Sequence, residues 1–75
     1  MQKVTLAQFL KIAMANNGMT ARDVAEARGT SEGSLSTTMN QKSVNLRTLE
    51  AILETMDEKV VLQLKNGQSY EIKTE

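Results

Sequence analysis

Seventy-five residues give room for one domain with a modest core, and a domain this small is often stabilised by a partner, so dimerisation is an expectation before any motif is read. Cysteine and histidine are both absent, which excludes a disulfide framework, thiol chemistry, cysteine-based zinc, the commonest metal ligand and the usual proton shuttle. Nine basic side chains balance nine acidic ones, but residues 1–45 hold five basic against three acidic and residues 46–75 four against six, so the N-terminal part is the one that could face a polyanion.

The first helix is announced by Thr5 with Gln8 three residues on, a capping box, and by Val4 at the staple position before it. Leu6, Phe9, Leu10, Ala13 and Met14 recur at steps of three and four and predict one apolar face, that of a scaffold helix. Asn16, Asn17 and Gly18 end it, and Met19 is expected to pack under the turn.

Residues 20–39, TARDVAEARGTSEGSLSTTM, read as two short helices about a bend. Thr20 and Asp23 resemble a capping box, with Asp where Glu or Gln is usual. Gly29 can take positive φ at no steric cost, so one helix ends there and the chain turns sharply into the next. Ser31 starts that next helix, with Glu32 in its first turn where a negative charge suits the dipole. Ala25 is small enough to let the two helices approach, and Leu35 fills the space beneath them. Leu35 and Met39 share one face, while Glu32, Gly33, Ser36 and Thr37 point the other way. Gly33 is costly inside a helix, by about 1 kcal/mol relative to alanine. Either close approach to a ligand or mere local drift accounts for it.

Asn40, Gln41, Lys42 and Ser43 form a polar connection, read either as a contact loop or as a solvated one. Asn45 caps the fourth helix, whose Leu46, Leu49, Ile52, Leu53 and Met56 make one face. Glu50, Glu54, Asp57 and Glu58 cover its other side and far end. Residues 59–65, KVVLQLK, and 68–73, QSYEIK, then look like strands around Asn66 and Gly67, a strong hairpin signal. A two-residue loop would pair Leu62 with Glu71 and split the apolar residues between faces. A three-residue loop of Lys65, Asn66 and Gly67 pairs Leu62 with Tyr70 and Val60 with Ile72, which gathers Val60, Leu62, Leu64, Tyr70 and Ile72 on one side and is preferred. A lone hairpin is marginal in water, so that face must meet the helices or a second chain; a homodimer contact through these five residues is the expectation.

With Ala25, Gly29 four residues on, Leu35 six further, and then Met39, Asn40 and Lys42, the chain resembles the helix-turn-helix DNA-binding domains of phage repressors, Cro proteins and their bacterial relatives, the XRE-like family. The resemblance runs from about residue 6 to residue 56. It implies a mainly α fold: a four-helix phage-repressor-like helix-turn-helix domain over about residues 5–57, here followed by a C-terminal β-hairpin over about 59–73, the whole forming one domain. The second motif helix would lie in the major groove. By the same resemblance Glu32, Gly33, Ser36 and Thr37 reach base edges, with Ser34 at the margin, and Arg22, Ser31, Asn40, Lys42 and Arg47 contact phosphates. Glu32 either accepts from a cytosine amino group or serves only the dipole. The chain departs from the family at Arg28, Thr30 and Thr38, where aliphatic residues are usual, at Gln41, where the turn usually has Gly, and at Ala21, where relatives often place a phosphate-binding Gln.

No catalytic constellation is present: there is no nucleophile with a base, no phosphate-cradling glycine loop and no paired buried carboxylates. Glu54, Asp57 and Glu58 lack the spacing of a calcium loop, and Phe9 and Tyr70 cannot make a stacking platform for single strands. An enzyme, a cofactor, a metal and a small-molecule substrate are therefore not expected. The opening MQKVTLAQFLKIAMANNG has no long apolar run, so neither a signal peptide nor a membrane span is expected and the cytoplasm is the expected compartment. The expected function is sequence-specific binding of double-stranded DNA at a pseudo-palindromic operator by a homodimer, a transcriptional repressor of the phage or mobile-element kind. The alternative is a protein-interaction module, antitoxin-like or a phage anti-host factor. Zero net charge, Glu32 and the lack of Arg or Gln on the reading helix favour that alternative.

Overall fold

In the computed structural model, which describes residues 2–74, each helix starts on a side chain that accepts a hydrogen bond from the backbone three residues later. The elements run α1 (Leu6–Asn16), α2 (Ala21–Arg28), α3 (Glu32–Met39), α4 (Leu46–Glu54), β1 (Val60–Gln63) and β2 (Ser69–Ile72). The caps are Thr5, Thr20, Ser31 and Asn45, as the sequence predicts. Two of them are reciprocal: Gln8 Oε1 and Asp23 Oδ2 each accept from the N–H of their cap residue at 2.9 Å, so the shorter Asp completes the box as well as Gln does.

Three helices end in one way. Thr30 N–H donates to the Ala25 carbonyl at 2.9 Å and Gly29 N–H to that of Glu26 at 3.0 Å, with Gly29 left-handed at φ 71°. The same pair of bonds closes α1 around Gly18 (φ 64°) and α4 around Asp57 (φ 58°). Asp57 is the one non-glycine residue at positive φ among the described residues. Nothing in the sequence predicts a reversal at that point.

The core joins all four helices to the first strand: Leu10, Ala13 and Met14 from α1, Val24 and Ala25 from α2, Leu35 and Met39 from α3, Ile52, Leu53 and Met56 from α4 and its end, and Val60 from β1. Met19 packs against it, as expected, and so do Leu6, Leu46 and Leu49. Phe9 does not belong to the buried face. It is 42% exposed, because the buried arc centres on Leu10, Ala13 and Met14 and leaves Phe9 at its edge beside the helix start.

The hairpin has the expected register, with Val60 opposite Ile72 and Leu62 opposite Tyr70. Leu64 N–H donates to the Gln68 carbonyl at 2.8 Å and Gly67 N–H to that of Leu64 at 2.9 Å, leaving a three-residue loop with Gly67 at φ 93°. Its apolar face is divided. Val60 is buried in the protomer's own core and Ile72 packs half-buried against it, whereas Leu62, Leu64 and Tyr70 are 53%, 55% and 51% exposed. Beyond β2, the Thr74 N–H and hydroxyl donate to the Glu50 carboxylate of α4 at 2.8 and 3.0 Å. Among the described residues no helix is long and apolar enough to cross a membrane.

Candidate functional site

Helix α3 is held from one side only. Leu35 and Met39 are buried beneath it, and Glu32, Gly33, Ser34, Ser36 and Thr37 are all exposed on its remaining surface. The five residues expected to read bases are therefore presented together to solvent. Ser31, at the head of the same helix, is also exposed, with its Oγ accepting from the Ser34 N–H at 3.1 Å.

Several polar groups on this helix are committed to its own backbone. The Thr37 hydroxyl donates to the Gly33 carbonyl at 3.0 Å, that of Thr38 to Ser34 at 3.1 Å, and Asn40 Nδ2 to Ser36 at 2.8 Å. A threonine has one hydroxyl proton, so Thr37 faces outward as an acceptor and a methyl group. The carboxylate form of a glutamate such as Glu32 offers acceptors only. The half-buried Thr38, standing where an aliphatic residue is usual, is accommodated because its hydroxyl is satisfied in this way.

Two grooves lie beside α3, one along it and one at its C-terminal end. Between α1 and α3, Glu32 and Ser36 share a groove with Lys11, Met14, Met19 and Met39. Nothing in the sequence marks Lys11 as a site residue. Its position on the polar side of α1 looks like ordinary solvated surface, and only the packing of α1 against α3 brings it to this groove. The second groove brings Asn40, Gln41 and Lys42 together with the start of α1 at Thr5 and Leu6. Asn40 lines both, which makes the loop after α3 the junction between them. Arg22 and Arg47 are exposed on α2 and α4. Arg22 Nε lies 3.4 Å from Glu26 Oε1, an exposed pair one turn apart that is worth little and yields readily to a stronger anion.

Hydrogen bonds from the Thr20 backbone and side chain, with a smaller contribution from neighbouring Arg22, hold the Asp23 carboxyl below the ordinary carboxylate range. The acidic residues Glu50, Glu54, Asp57 and Glu58 gather with Glu71 around the end of α4 and the hairpin base. That cluster shares no lining residue with either groove, as the charge tilt along the sequence implies.

Neither the curated proteins nor the solved structures include a significant match to the chain. The family model of the Cro/C1-type helix-turn-helix DNA-binding domain matches residues 10–61, more than half of its length.

Proposed function

The chain belongs to the Cro/C1-type helix-turn-helix DNA-binding family, and from that premise we propose that it is a homodimeric repressor of the phage or mobile-element kind that reads a pseudo-palindromic operator. The observation that carries this reading is the one-sided anchoring of α3, with Glu32, Gly33, Ser34, Ser36 and Thr37 exposed as a group. A helix entering the major groove specifies sequence through such side chains, while phosphate contacts fix its position. Arg22, Ser31, Asn40, Lys42 and Arg47 supply the phosphate contacts, with Asn40 sharing one groove with Glu32 and Ser36 and another with Lys42. A repressor needs no further domain, since an occupied operator blocks polymerase by itself.

The hairpin supports the dimer. Leu62, Leu64 and Tyr70 form a half-exposed apolar cluster on a two-stranded sheet, a surface of the kind that a second copy covers. Val60, and in part Ile72, are packed instead against the protomer's own core.

Titration of the folded protein with duplex DNA at 50 and 200 mM salt tests the reading. Three cations per protomer, Arg22, Lys42 and Arg47, give about six phosphate contacts in a dimer and a slope of log affinity against log salt of about −5. Lys42→Ala lowers affinity for every sequence alike and makes the slope shallower by about 2. Absence of duplex binding at 50 mM salt overturns the reading in favour of the protein-interaction module.

A further inference from the structure

We propose that Gly33 and Thr37 together form a notch that receives the 5-methyl group of a thymine, so that each half-site is fixed at one A·T pair. The inference rests on α3 being the helix that enters the major groove. Nothing inside the chain asks for glycine at position 33. The residue lies within a helix, its φ is not in the left-handed region, and a Cβ placed there meets no atom within 4 Å. Glycine is nevertheless the poorest helix former after proline. Its missing side chain leaves an open space on the exposed face of α3, and whatever fills that space comes from outside the chain.

Thr37 stands one turn further along the same face, its side chain more than 4 Å from where a Cβ on Gly33 would lie, so it borders the open space without filling it. Its hydroxyl, bonded to the Gly33 carbonyl at 3.0 Å, restricts the side chain to one rotamer and consumes its only proton. What remains for a ligand is a methyl group and an oxygen that can only accept. In the major groove an A·T pair offers a matching set, the thymine 5-methyl and the adenine amino donor. A cytosine offers an amino donor without the methyl, and the O6 and N7 acceptors of guanine would oppose the Thr37 oxygen. Shape and hydrogen bonding thus select the same pair.

The test begins with the duplex that the wild-type protein selects from a random library. Each thymine is then replaced in turn by deoxyuracil, which removes only the methyl. At one thymine per half-site the replacement should lower wild-type affinity about fourfold, the worth of one buried methyl group. For Thr37→Ser, which keeps the oxygen and loses the methyl, the same replacement should change affinity by less than about twofold. Gly33→Ala fills the notch. It should bind the thymine duplex at least about fourfold more weakly and no longer distinguish it from the deoxyuracil duplex. The same variant should raise the thermal midpoint by about 4–8 °C, because alanine favours the helix, which shows that the lost affinity is not lost folding. Indifference of the wild type to deoxyuracil at every position, or full affinity in Gly33→Ala, would overturn the notch while selective, salt-weakened binding left the reading of α3 intact. No duplex binding by the folded wild type would remove both.

Discussion

At the scale of single residues, two glycines of the same motif owe their place to different physics. Gly29 is required by its backbone: at φ 71° a side chain would be strained even though open space surrounds it. Gly33 has no such requirement, and in the proposed notch its place is explained by a base that would occupy the space. Asp23 has a carboxyl held below its ordinary range by the Thr20 cap and then by Arg22. A depressed folded value means that the carboxylate stabilises the fold at neutral pH and that the contribution is lost as pH falls from the ordinary carboxylate range through the folded value. Asp23→Asn keeps an acceptor but cannot titrate, so its stability deficit relative to the wild type should shrink as the solution is acidified. Denaturation midpoints of the two proteins measured from neutral pH downward check this, and a deficit constant with pH would contradict it. The caps at Thr5, Thr20, Ser31 and Asn45 were legible in the sequence because capping is decided within four residues. The reversal at Asp57 was not, since Asp only tolerates the left-handed region where Gly invites it. Lys11 was missed for another reason: its place beside α3 depends on how two helices pack, which no local pattern records.

At the scale of elements, the hairpin shows what alternation can and cannot tell. Gathering the apolar residues on one face was enough to choose the three-residue loop and hence the pairing of Leu62 with Tyr70. Alternation says which residues share a face, however, and not what covers it. The structure divides that face between the protomer's own core at Val60 and solvent at Leu62, Leu64 and Tyr70. The two halves should answer differently to substitution. Val60→Ala removes two buried methyl groups and should cost about 2 kcal/mol of stability. Leu62→Lys should leave the stability of the dilute protein almost unchanged and shift sedimentation from dimer to monomer at micromolar concentration. A wild-type protein that sediments as a monomer at that concentration would remove the hairpin contact from the proposed function. Phe9 shows the same limit of pattern in a helix. Its spacing fits the apolar face of α1, yet the neighbours needed to cover it lie further round the helix, over Leu10, Ala13 and Met14.

At the scale of the whole molecule, a chain of zero net charge has to bind a polyanion through placement rather than total charge. The groove of Asn40 and Lys42 and the groove of Lys11 and Glu32 lie beside α3, while the five carboxylates of Glu50, Glu54, Asp57, Glu58 and Glu71, with Lys59 and Lys73 among them, collect at the hairpin base. In a symmetric dimer two copies of α3 meet half-sites one helical turn apart, about 34 Å. Inserting about five base pairs between the half-sites should turn them to opposite faces of the duplex and reduce affinity to that of a single half-site, whereas inserting about ten restores one face and part of the loss. Equal affinity for all three spacings would show that the protomers bind independently. Each strand of the hairpin is moored separately to α4: β1 follows directly from it and seats Val60 in the core, and the chain leaving β2 is tied back by Thr74 to Glu50. A strip tied at the feet of both strands has less freedom to swing than one tied at a single strand. In the proposed dimer, a load on the tip at Leu64 would reach α4 through both moorings, and the opening turn of that helix carries Arg47, one of the proposed phosphate contacts.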